Sequence, residues 1–324
     1  MTISAGSLNE PKIQYSHFIS VIIPLLNEEK SLTELASRIA EALAGKKYEV
    51  IFVDDGSTDD SWKVIEKLHQ KYPDVKGIRF RKNRGKSDAL QAGFSHARGR
   101  YVVTMDADLQ DDPFEIPEMI SQLENGADLV SGWKKNRKDP LSKTIPSRFF
   151  NAVTRFVTGI KLHDFNCGLK AYRREVTDSI HLYGEMHRYV PLLAKWEGFD
   201  RIEEKVVLHH PRKYGKTKFG VSRFLNGFLD LITLLFVNRY MRRPMHFFGL
   251  FGVLFLTVGF GISLYLAYIK IFMGAHLGNR PLLFLGILLI MVGVQFFSIG
   301  FLGELINKDF IGKDKPEVWK KLGL

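Results

Sequence analysis

The sequence predicts an α/β domain with a mostly parallel sheet, followed by an interfacial amphipathic helix and two transmembrane helices. Short apolar runs alternate with amphipathic segments between residues 18 and 134, and two long uncharged apolar stretches lie near the C-terminus. Strands that alternate with helices at this spacing form parallel sheets covered by helices. The 324 residues therefore divide into a loose N-terminus (1–17), the sheet domain (18–220), the amphipathic helix (221–243), the two-helix membrane domain (244–306) and a C-terminal tail (307–324).

Five strands and four helices are predicted in order along the sheet domain. The strand sequences are "FISVIIP", "YEVIFVDD", "VKGIRF", "YVVTMDAD" and "ADLVSGW", each an apolar run. A segment with helical spacing of apolar residues follows each of the first four. The predicted helices span Ser31–Leu43, begin near Asp59 or Ser61, span Lys86–Ala97, and begin at Pro113, where a proline can open a helix.

Two apolar stretches predict membrane spans. Met245–Ile269 contains no charged residue if His246 is neutral, and Pro281–Gly303 contains none. Each exceeds the roughly 20 residues that cross a bilayer core of about 30 Å. A buried helical hairpin of a soluble protein is the alternative, and two runs of this length favour spans.

The charges beside the spans predict their orientation. "NRYMRRP" precedes the first span and "NKDFIGKDKPEVWKK" follows the second, while the loop between them carries only Lys270 and Arg280. The positive-inside rule places the sheet domain and both termini in the cytoplasm, at the inner membrane. A single cysteine, Cys167, fits a reducing compartment.

An amphipathic stripe precedes the first span. Apolar residues recur at three- and four-residue spacing through "VSRFLNGFLDLITLLFVNRYMRR". Packing against the sheet domain would produce the same stripe. Its position beside a span, with arginines at its end, favours an interfacial helix.

Charge indicates an anionic partner. The formal net charge is +11 and the pI about 9.5, which suit a nucleic acid, a phosphorylated substrate or an anionic lipid.

Polar clusters follow three of the predicted strands. The clusters are Pro24 with Asn27 and Glu28, then Asp54 with Asp55, then Asp106 with Asp108. Ligands in parallel sheets bind beyond the carboxyl ends of the strands. Ordinary turn chemistry also places polar residues after strands, but three clusters on one rim predict a site.

The third cluster is strongly acidic, since Asp111 and Asp112 follow Asp106 and Asp108. Crowded carboxylates are unfavourable unless positive charge lies among them. We expect the strand's alternation to direct Asp106 and Asp108 to neighbouring positions, with the small Ala107 between them. Carboxylates that share a cation with diphosphate oxygens suit Mg²⁺ or Mn²⁺, which would neutralise a leaving diphosphate.

Four segments resemble a known family. "VIIPLLNEE", "IFVDDGSTDDS", "MDADLQDDP" and "HDFNCGLKAYRREV" are similar to the GT-A glycosyltransferases of family 2. The chain is most similar to the polyprenyl-phosphate glycosyltransferases, the dolichyl-phosphate mannose synthase group and its bacterial two-span relatives. The resemblance runs from about Phe18 to the second span and implies the GT-A fold, with its Rossmann-like sheet. It also implies transfer of a sugar from a nucleotide donor to the phosphate of a membrane polyprenol.

The resemblance implies roles for individual residues. Nucleotide binding would involve Pro24, Asn27, Glu28, Asp54, Asp55, Lys86, Asp106, Arg212 and Lys218, of which Arg212 and Lys218 match the family's R-x-x-G-x-[ST]-K loop. The metal and donor diphosphate would lie at Asp106, Asp108 and Gln110, and the acceptor phosphate at Arg137, Lys138, Ser147 and Arg148. The catalytic set would be Asp106, Asp108, Asp164, Arg148 and Lys218.

Some of these roles have alternatives. Asp164 would orient the acceptor, or cap a turn. The basic residues would bind phosphates, or form a solvated face or contact anionic lipid head groups. His187 and Arg188 would line the sugar pocket.

The resemblance implies inverting transfer of one sugar. Because the two-span relatives commonly use UDP-sugars, it favours glucose from UDP-glucose and leaves GDP-mannose and UDP-N-acetylhexosamines open. The acceptor phosphate is largely dianionic at neutral pH, so no strong general base is required. The expected partners are the donor, the polyprenyl phosphate and membrane lipids, with no nucleic acid. Glycine-containing spans with Gln295 also suit a homo-oligomer.

Two other functions are weighed. A processive polysaccharide synthase would share the donor site but carry a QxxRW segment and more spans, and the sequence has no QxxRW. A non-catalytic membrane scaffold that binds nucleotide sugars would not need the intact Asp106 and Asp108.

Overall fold

The computed structural model describes most of the sheet domain and both apolar helices. The predicted N-terminal segment up to residue 16 and the predicted interfacial helix at 221–243 lie outside the described residues. Contacts divide the chain into two compact units, one with the sheet and one with the apolar helices. The described residues are 17–135, 151–156, 158–214, 244–274, 281–310 and 320–322.

The first half of the sheet domain follows the predicted alternation. In the first helix, buried Leu32, Leu35, Ala36 and Ile39 recur at three- and four-residue spacing and face the core. The elements are β1 (His17–Leu25), α1 (Leu32–Ala42), β2 (Tyr48–Asp54), α2 (Ser61–Lys71), β3 (Val75–Arg79), α3 (Lys86–His96), β4 (Gly99–Thr104), a 3₁₀ turn (Pro113–Glu115), α4 (Ile116–Glu124) and β5 (Leu129–Trp133).

The second half adds elements that the sequence analysis did not predict, and then the two apolar helices. The elements are β6 (Lys170–Arg173), α5 (Arg174–Ser179), a second 3₁₀ turn (Met186–Arg188), α6 (Val190–Trp196), β7 (Ile202–Val206), α7 (Pro244–Met273), α8 (Pro281–Phe310) and β8 (Lys320–Leu322).

The strands form one eight-stranded sheet in the order β7-β5-β6-β4-β1-β2-β3-β8. The pairs β1–β2, β1–β4, β2–β3 and β5–β7 are parallel. β6 is antiparallel to both β4 and β5, and β8 is antiparallel to β3. The predicted α/β fold is therefore confirmed, with antiparallel strands added to a parallel centre.

One expectation about β4 is wrong. β4 ends at Thr104, so Asp106 and Asp108 lie in a loop and not at the end of the strand. Leu109 takes a positive φ of 63°, which turns this loop away from the strand direction. In the sheet, β6 lies between β4 and β5.

The two apolar helices have the length and composition of membrane spans. Met245–Met273 has a mean hydropathy of 2.2 and Pro281–Gly303 of 2.6. The helices pack through small residues: a Cβ added at Gly252 would lie 3.0 Å from the Gly293 carbonyl, and one at Gly259 would lie 2.8 Å from the Gly286 carbonyl. Such close contact is typical of helix pairs in membranes. These four glycines therefore make contacts between the two apolar helices of one chain. The homo-oligomer stays a prediction.

Candidate active site

The carboxyl ends of β2, β1 and β4 meet at one edge of the sheet. These strands are parallel neighbours, and the Asp55 N–H donates to the Leu25 carbonyl at 2.9 Å just beyond two of them. Pro24 lies on β1 opposite Val53, one residue before this contact. The structure thus brings the three predicted clusters together.

Asn27 ties the loop after β1 to the loop after β2. Its φ is 55°, a left-handed conformation that asparagine tolerates better than most residues. Its Oδ1 accepts from the Thr58 N–H at 2.8 Å, and its own N–H donates to Ser57 Oγ at 2.9 Å. Asn27 therefore shapes the rim through its backbone and side chain.

The carboxylates of Asp54 and Asp55 are used by the protein itself. Asp54 Oδ1 accepts from the Ser57 N–H at 2.8 Å, and its Oδ2 lies 3.2 Å from Arg79 Nε. Asp55 accepts from the N–H groups of Arg84 at 2.7 Å and Gly85 at 2.9 Å. Burial raises the pKa of both acids despite these hydrogen bonds. Asp55 thereby fixes the loop that leads into α3 and positions Lys86.

Three of the four aspartates after β4 have a close cationic partner. Lys86 Nζ forms an ion pair with Asp106 Oδ1. Lys134 directly follows β5, and its Nζ lies 2.7 Å from Asp111 Oδ1. Asp112 contacts Arg38 Nη2 at 3.0 Å and His210 Nε2 at 2.8 Å, the latter an ion pair when the imidazole is protonated.

Asp108 is the exception. Among the described residues its nearest cationic atom is Arg212 Nε at 4.0 Å. Burial and the negative charges of Asp106 and Asp111 raise the pKa of Asp108 to about 6. For Asp106, burial also favours the neutral acid, but Lys86 and Lys134 outweigh it and hold the pKa well below its ordinary value. Within the described ranges, Asp108 is therefore the aspartate of this loop with the most distant cationic partner.

Asp106 and Asp108 fit a divalent ion that shares its coordination with a substrate. Both supply hard carboxylate oxygens, and a cation would relieve the repulsion that raises the pKa of Asp108. No group of three or more His, Cys, Asp or Glu side chains in the described ranges is arranged to hold a metal alone. Mg²⁺ and Mn²⁺ sites that are completed by phosphate oxygens need only one or two carboxylates.

The segment after β7 crosses the acidic loop. The His210 N–H donates to the Gln110 carbonyl at 2.9 Å, and Asp111 pairs with His209 in an isolated antiparallel bridge. Gln110, a predicted metal ligand, directs its Nε2 toward the His210 carbonyl at 3.4 Å. Arg212 Nη2 donates to Glu28 Oε1 at 2.6 Å. Arg212 therefore lies between Glu28 and Asp108, two of the predicted site acids.

The loop before β6 forms the other wall of the site. A Cβ added at Gly168 would lie 2.6 Å from the Asp106 carboxylate, so a larger residue there would displace the Asp106 side chain. Asp164 is buried, and its Oδ1 accepts from the Asn166 N–H at 3.1 Å, the contact of a turn-capping aspartate. The turn role of Asp164 is thus observed, and its acceptor-orienting role stays a prediction.

His187 is held beside the start of α3. Ser87 Oγ accepts from the His187 N–H at 3.0 Å and lies 3.1 Å from its Nδ1. Arg188 pairs with Glu185 at 3.1 Å. Since Ser87 follows Lys86, the second 3₁₀ turn lies next to the Lys86–Asp106 pair, and the sugar-pocket role of His187 and Arg188 stays a prediction.

Several predicted residues lie outside the described residues. They are Arg137, Lys138, Ser147, Arg148 and Lys218, so their acceptor-phosphate and catalytic roles stay predictions.

Lys134 is a partner of the acidic loop that is not among the residues predicted from the sequence. Its position is the available signal, because Lys134 directly follows the last predicted strand, as the other predicted clusters follow theirs. Burial of Lys134 would lower its pKa, but Asp111, Cys167 and Asp106 raise it well above the ordinary value, so it is a permanent cation.

Comparison with known proteins identifies relatives along most of the chain. The family described as "Glycosyl transferase family 2" matches residues 20–180. The chain is 40% identical over 306 residues to the dodecaprenyl-phosphate galacturonate synthase of Rhizobium johnstonii, with 91% of this chain and 89% of that protein covered. It is 36% identical over 297 residues to the undecaprenyl-phosphate 4-deoxy-4-formamido-L-arabinose transferase of Shewanella sediminis, with 90% and 87% covered.

The fold also has solved counterparts. The glucosyl-3-phosphoglycerate synthase of Mycobacterium tuberculosis, in complex with Mn²⁺ and UDP-glucose, superposes with a TM-score of 0.51 at 24% identity. The match covers 69% of this chain and 79% of that one. At this identity the likeness is one of fold.

Proposed function

The chain belongs to glycosyl transferase family 2, among its polyprenyl-phosphate glycosyltransferases, and we propose that it transfers one sugar from a UDP-sugar to a polyprenyl phosphate with a divalent metal ion. The crowding at Asp108 carries the metal assignment: the neighbouring acids have protein cations, while the pKa of Asp108 is raised to about 6 by burial and adjacent carboxylates. The metal-bound UDP-glucose complex of the fold neighbour is consistent with this proposal.

The protein's contribution to the reaction is positioning and charge. Asp106 and Asp108 would hold Mg²⁺ or Mn²⁺, which supplies charge neutralisation for a departing nucleoside diphosphate. Lys86 keeps Asp106 ionised and presents an ammonium group beside it. Arg212, held by Glu28, is the second cation at this position. The acceptor phosphate is its own nucleophile, so these residues orient reactants and no general base is needed.

The identity of the donor sugar is the finer part of the proposal. The family resemblance favours glucose, whereas the two relatives are named for galacturonate and 4-deoxy-4-formamido-L-arabinose. We therefore propose a UDP-linked hexose or pentose donor and place UDP-glucose, UDP-galacturonate and UDP-4-deoxy-4-formamido-L-arabinose in one panel.

The location of the reaction follows from the apolar helices and their flanking charges. We propose that α7 and α8 span the inner membrane and that the sheet domain and both termini are cytoplasmic. A polyprenyl phosphate buries its chain in the bilayer and exposes its phosphate at the surface, where a membrane-anchored transferase can reach it.

One transfer assay tests the proposal. Purified full chain is incubated with each labelled UDP-sugar and a short polyprenyl phosphate, with and without EDTA. We expect one donor to yield a lipid-linked monosaccharide, with product lost on chelation and restored by Mn²⁺ or Mg²⁺. A polymer would indicate a processive synthase, and donor binding without transfer would indicate a scaffold.

Metal affinity is expected to depend on pH through Asp108. Cation binding requires the ionised carboxylate, so it must displace a proton below the pKa of about 6. We expect the Kd for Mn²⁺, measured by electron paramagnetic resonance without substrate, to rise about tenfold between pH 7 and pH 5. In Asp108→Asn the residual affinity should lose most of this pH dependence, and an unchanged dependence there would assign the titration to another group.

A further inference from the structure

The order of the strands separates the two ends of the site. Five of the residues predicted for the nucleotide, Pro24, Asn27, Glu28, Asp54 and Asp55, lie at the ends of β1 and β2, and the acidic loop follows β4. Arg212, also predicted for the nucleotide, reaches this loop from the segment after β7. On the far side of β4 lie β6, β5 and β7. β5 and β7 run parallel to each other, and β6 is antiparallel to both β4 and β5, so the carboxyl ends of β5 and β7 share the edge with the end of β4. A reactant that approaches from the side opposite the nucleotide therefore meets the ends of β5 and β7.

At that end a half-exposed histidine is held by two independent contacts. The ring of His163 stacks on Trp133, the last residue of β5, with centroids 4.1 Å apart and an interplanar angle of 14°. Its Nδ1 lies 2.7 Å from Glu204 Oε2, on β7. The His163 side chain nevertheless stays 48% exposed, whereas Glu204 is 11% exposed. An exposed side chain usually moves among rotamers, so this double restraint indicates a preorganised group.

Glu204 also fixes the backbone that carries this histidine. Its Oε1 accepts from the N–H groups of His163 at 2.7 Å and Asp164 at 3.0 Å. One carboxylate thus positions both the His163 ring and the start of the loop that passes Asp106. Lys135 adds positive charge, with its Nζ 5.5 Å from the Trp133 ring centroid.

We propose that His163 contacts the phosphate of the lipid acceptor through Nε2, with Glu204 and Trp133 as the residues that position it. When Nδ1–H donates to Glu204 and Nε2 also carries a hydrogen, Nε2–H can donate to a phosphate oxygen. The ligand class is a phosphate monoester. This assignment rests on the proposed function for the identity of that monoester.

Direct binding tests the assignment without turnover. The full chain in detergent is titrated with a short polyprenyl phosphate and, separately, with the same polyprenol lacking phosphate. Loss of one charge-assisted hydrogen bond in His163→Gln should raise the Kd of the phosphate about tenfold and leave that of the alcohol unchanged. His163→Arg should restore much of the affinity, because it returns a cationic donor to the position.

A matched variant and a second substitution control for structural effects. His69 is also held through Nδ1, by the Val75 carbonyl at 2.6 Å, but lies where β3 begins, at the opposite edge; His69→Gln should bind like the parent. Glu204→Gln should weaken phosphate binding in the same direction, which keeps the test available if His163→Gln does not fold. The KM for the donor should not change in His163→Gln or in Glu204→Gln.

The outcomes separate this inference from the proposed function. An unchanged Kd for the phosphate in His163→Gln, or equal loss of phosphate and alcohol binding, would overturn the role of His163. A parent chain that binds polyprenyl phosphate no better than the alcohol would overturn it as well. A parent chain that shows the expected binding differences but transfers no sugar would support the His163 contact and contradict the proposed function.

Discussion

Asp108→Asn is expected to lower kcat about 10³-fold while leaving the fold intact. The substitution keeps the shape of the side chain and an acceptor for the Gln110 N–H, which lies 3.2 Å from Oδ1. It removes the carboxylate where negative charge is least compensated. Loss of metal-based charge stabilisation costs several kcal/mol, and ~4 kcal/mol corresponds to about three powers of ten in rate. Steady-state kinetics with saturating Mn²⁺ would measure this loss.

The stability of Asp108→Asn should increase, although its activity falls. The pKa of Asp108 is raised to about 6 in the folded chain. Its ionisation therefore has no cost in acid, lowers the free energy of unfolding as the pH rises from about 3.9 to about 6, and has its full cost above that range. Asparagine removes this cost at pH 7, and we expect the free energy of unfolding to increase by about 1 kcal/mol. Asp60→Asn is the matched control, because the Asp60 side chain is 63% exposed and forms an ion pair with nearby Lys63. Full activity in Asp108→Asn would refute the metal assignment.

Lys86→Met is expected to lower kcat/KM for the donor about 10²-fold. Lys86 is the first residue of α3, and its position follows from the hydrogen bonds that Asp55 accepts from Arg84 and Gly85. Without the ammonium group, the pKa of Asp106 rises because burial is no longer opposed by its nearest cation. The donor diphosphate also loses a positive partner. Removing one preorganised donor from such a site typically costs ~10²–10³ in rate.

Comparison with two other variants distinguishes charge from packing at this position. Lys86→Arg keeps the charge and should retain more activity than Lys86→Met. Lys67→Met, on the exposed face of α2, should behave like the parent chain. The Lys86 and Asp106 side chains are 30% and 34% exposed, so breaking their ion pair should change the unfolding free energy by less than about 1 kcal/mol. If kcat/KM of Lys86→Met does not fall, or falls only because the variant unfolds, Lys86 has no role in the site.

The sequence by itself determined the alternation of strands and helices up to β5 and the edge where the site forms. Both follow from local patterns: apolar runs of strand length mark the buried centre of a sheet, and parallel neighbours must present their carboxyl ends together. The three clusters that begin at Pro24, Asp54 and Asp106 were found this way. The two apolar helices were found by length and composition alone.

Only the tertiary structure decided which cation neutralises which carboxylate. Arg38 and Asp112 are 74 residues apart, and Asp112 and His210 are 98 apart, so no local pattern pairs them. The four-residue β6 is too short to show a strand pattern, yet its insertion separates β5 from β4 and brings Gly168 against Asp106. Electrostatic partners depend on distance in space, and the sheet order sets that distance. That Asp108 has the most distant cationic partner among the described residues of this loop could therefore be seen only in the folded chain.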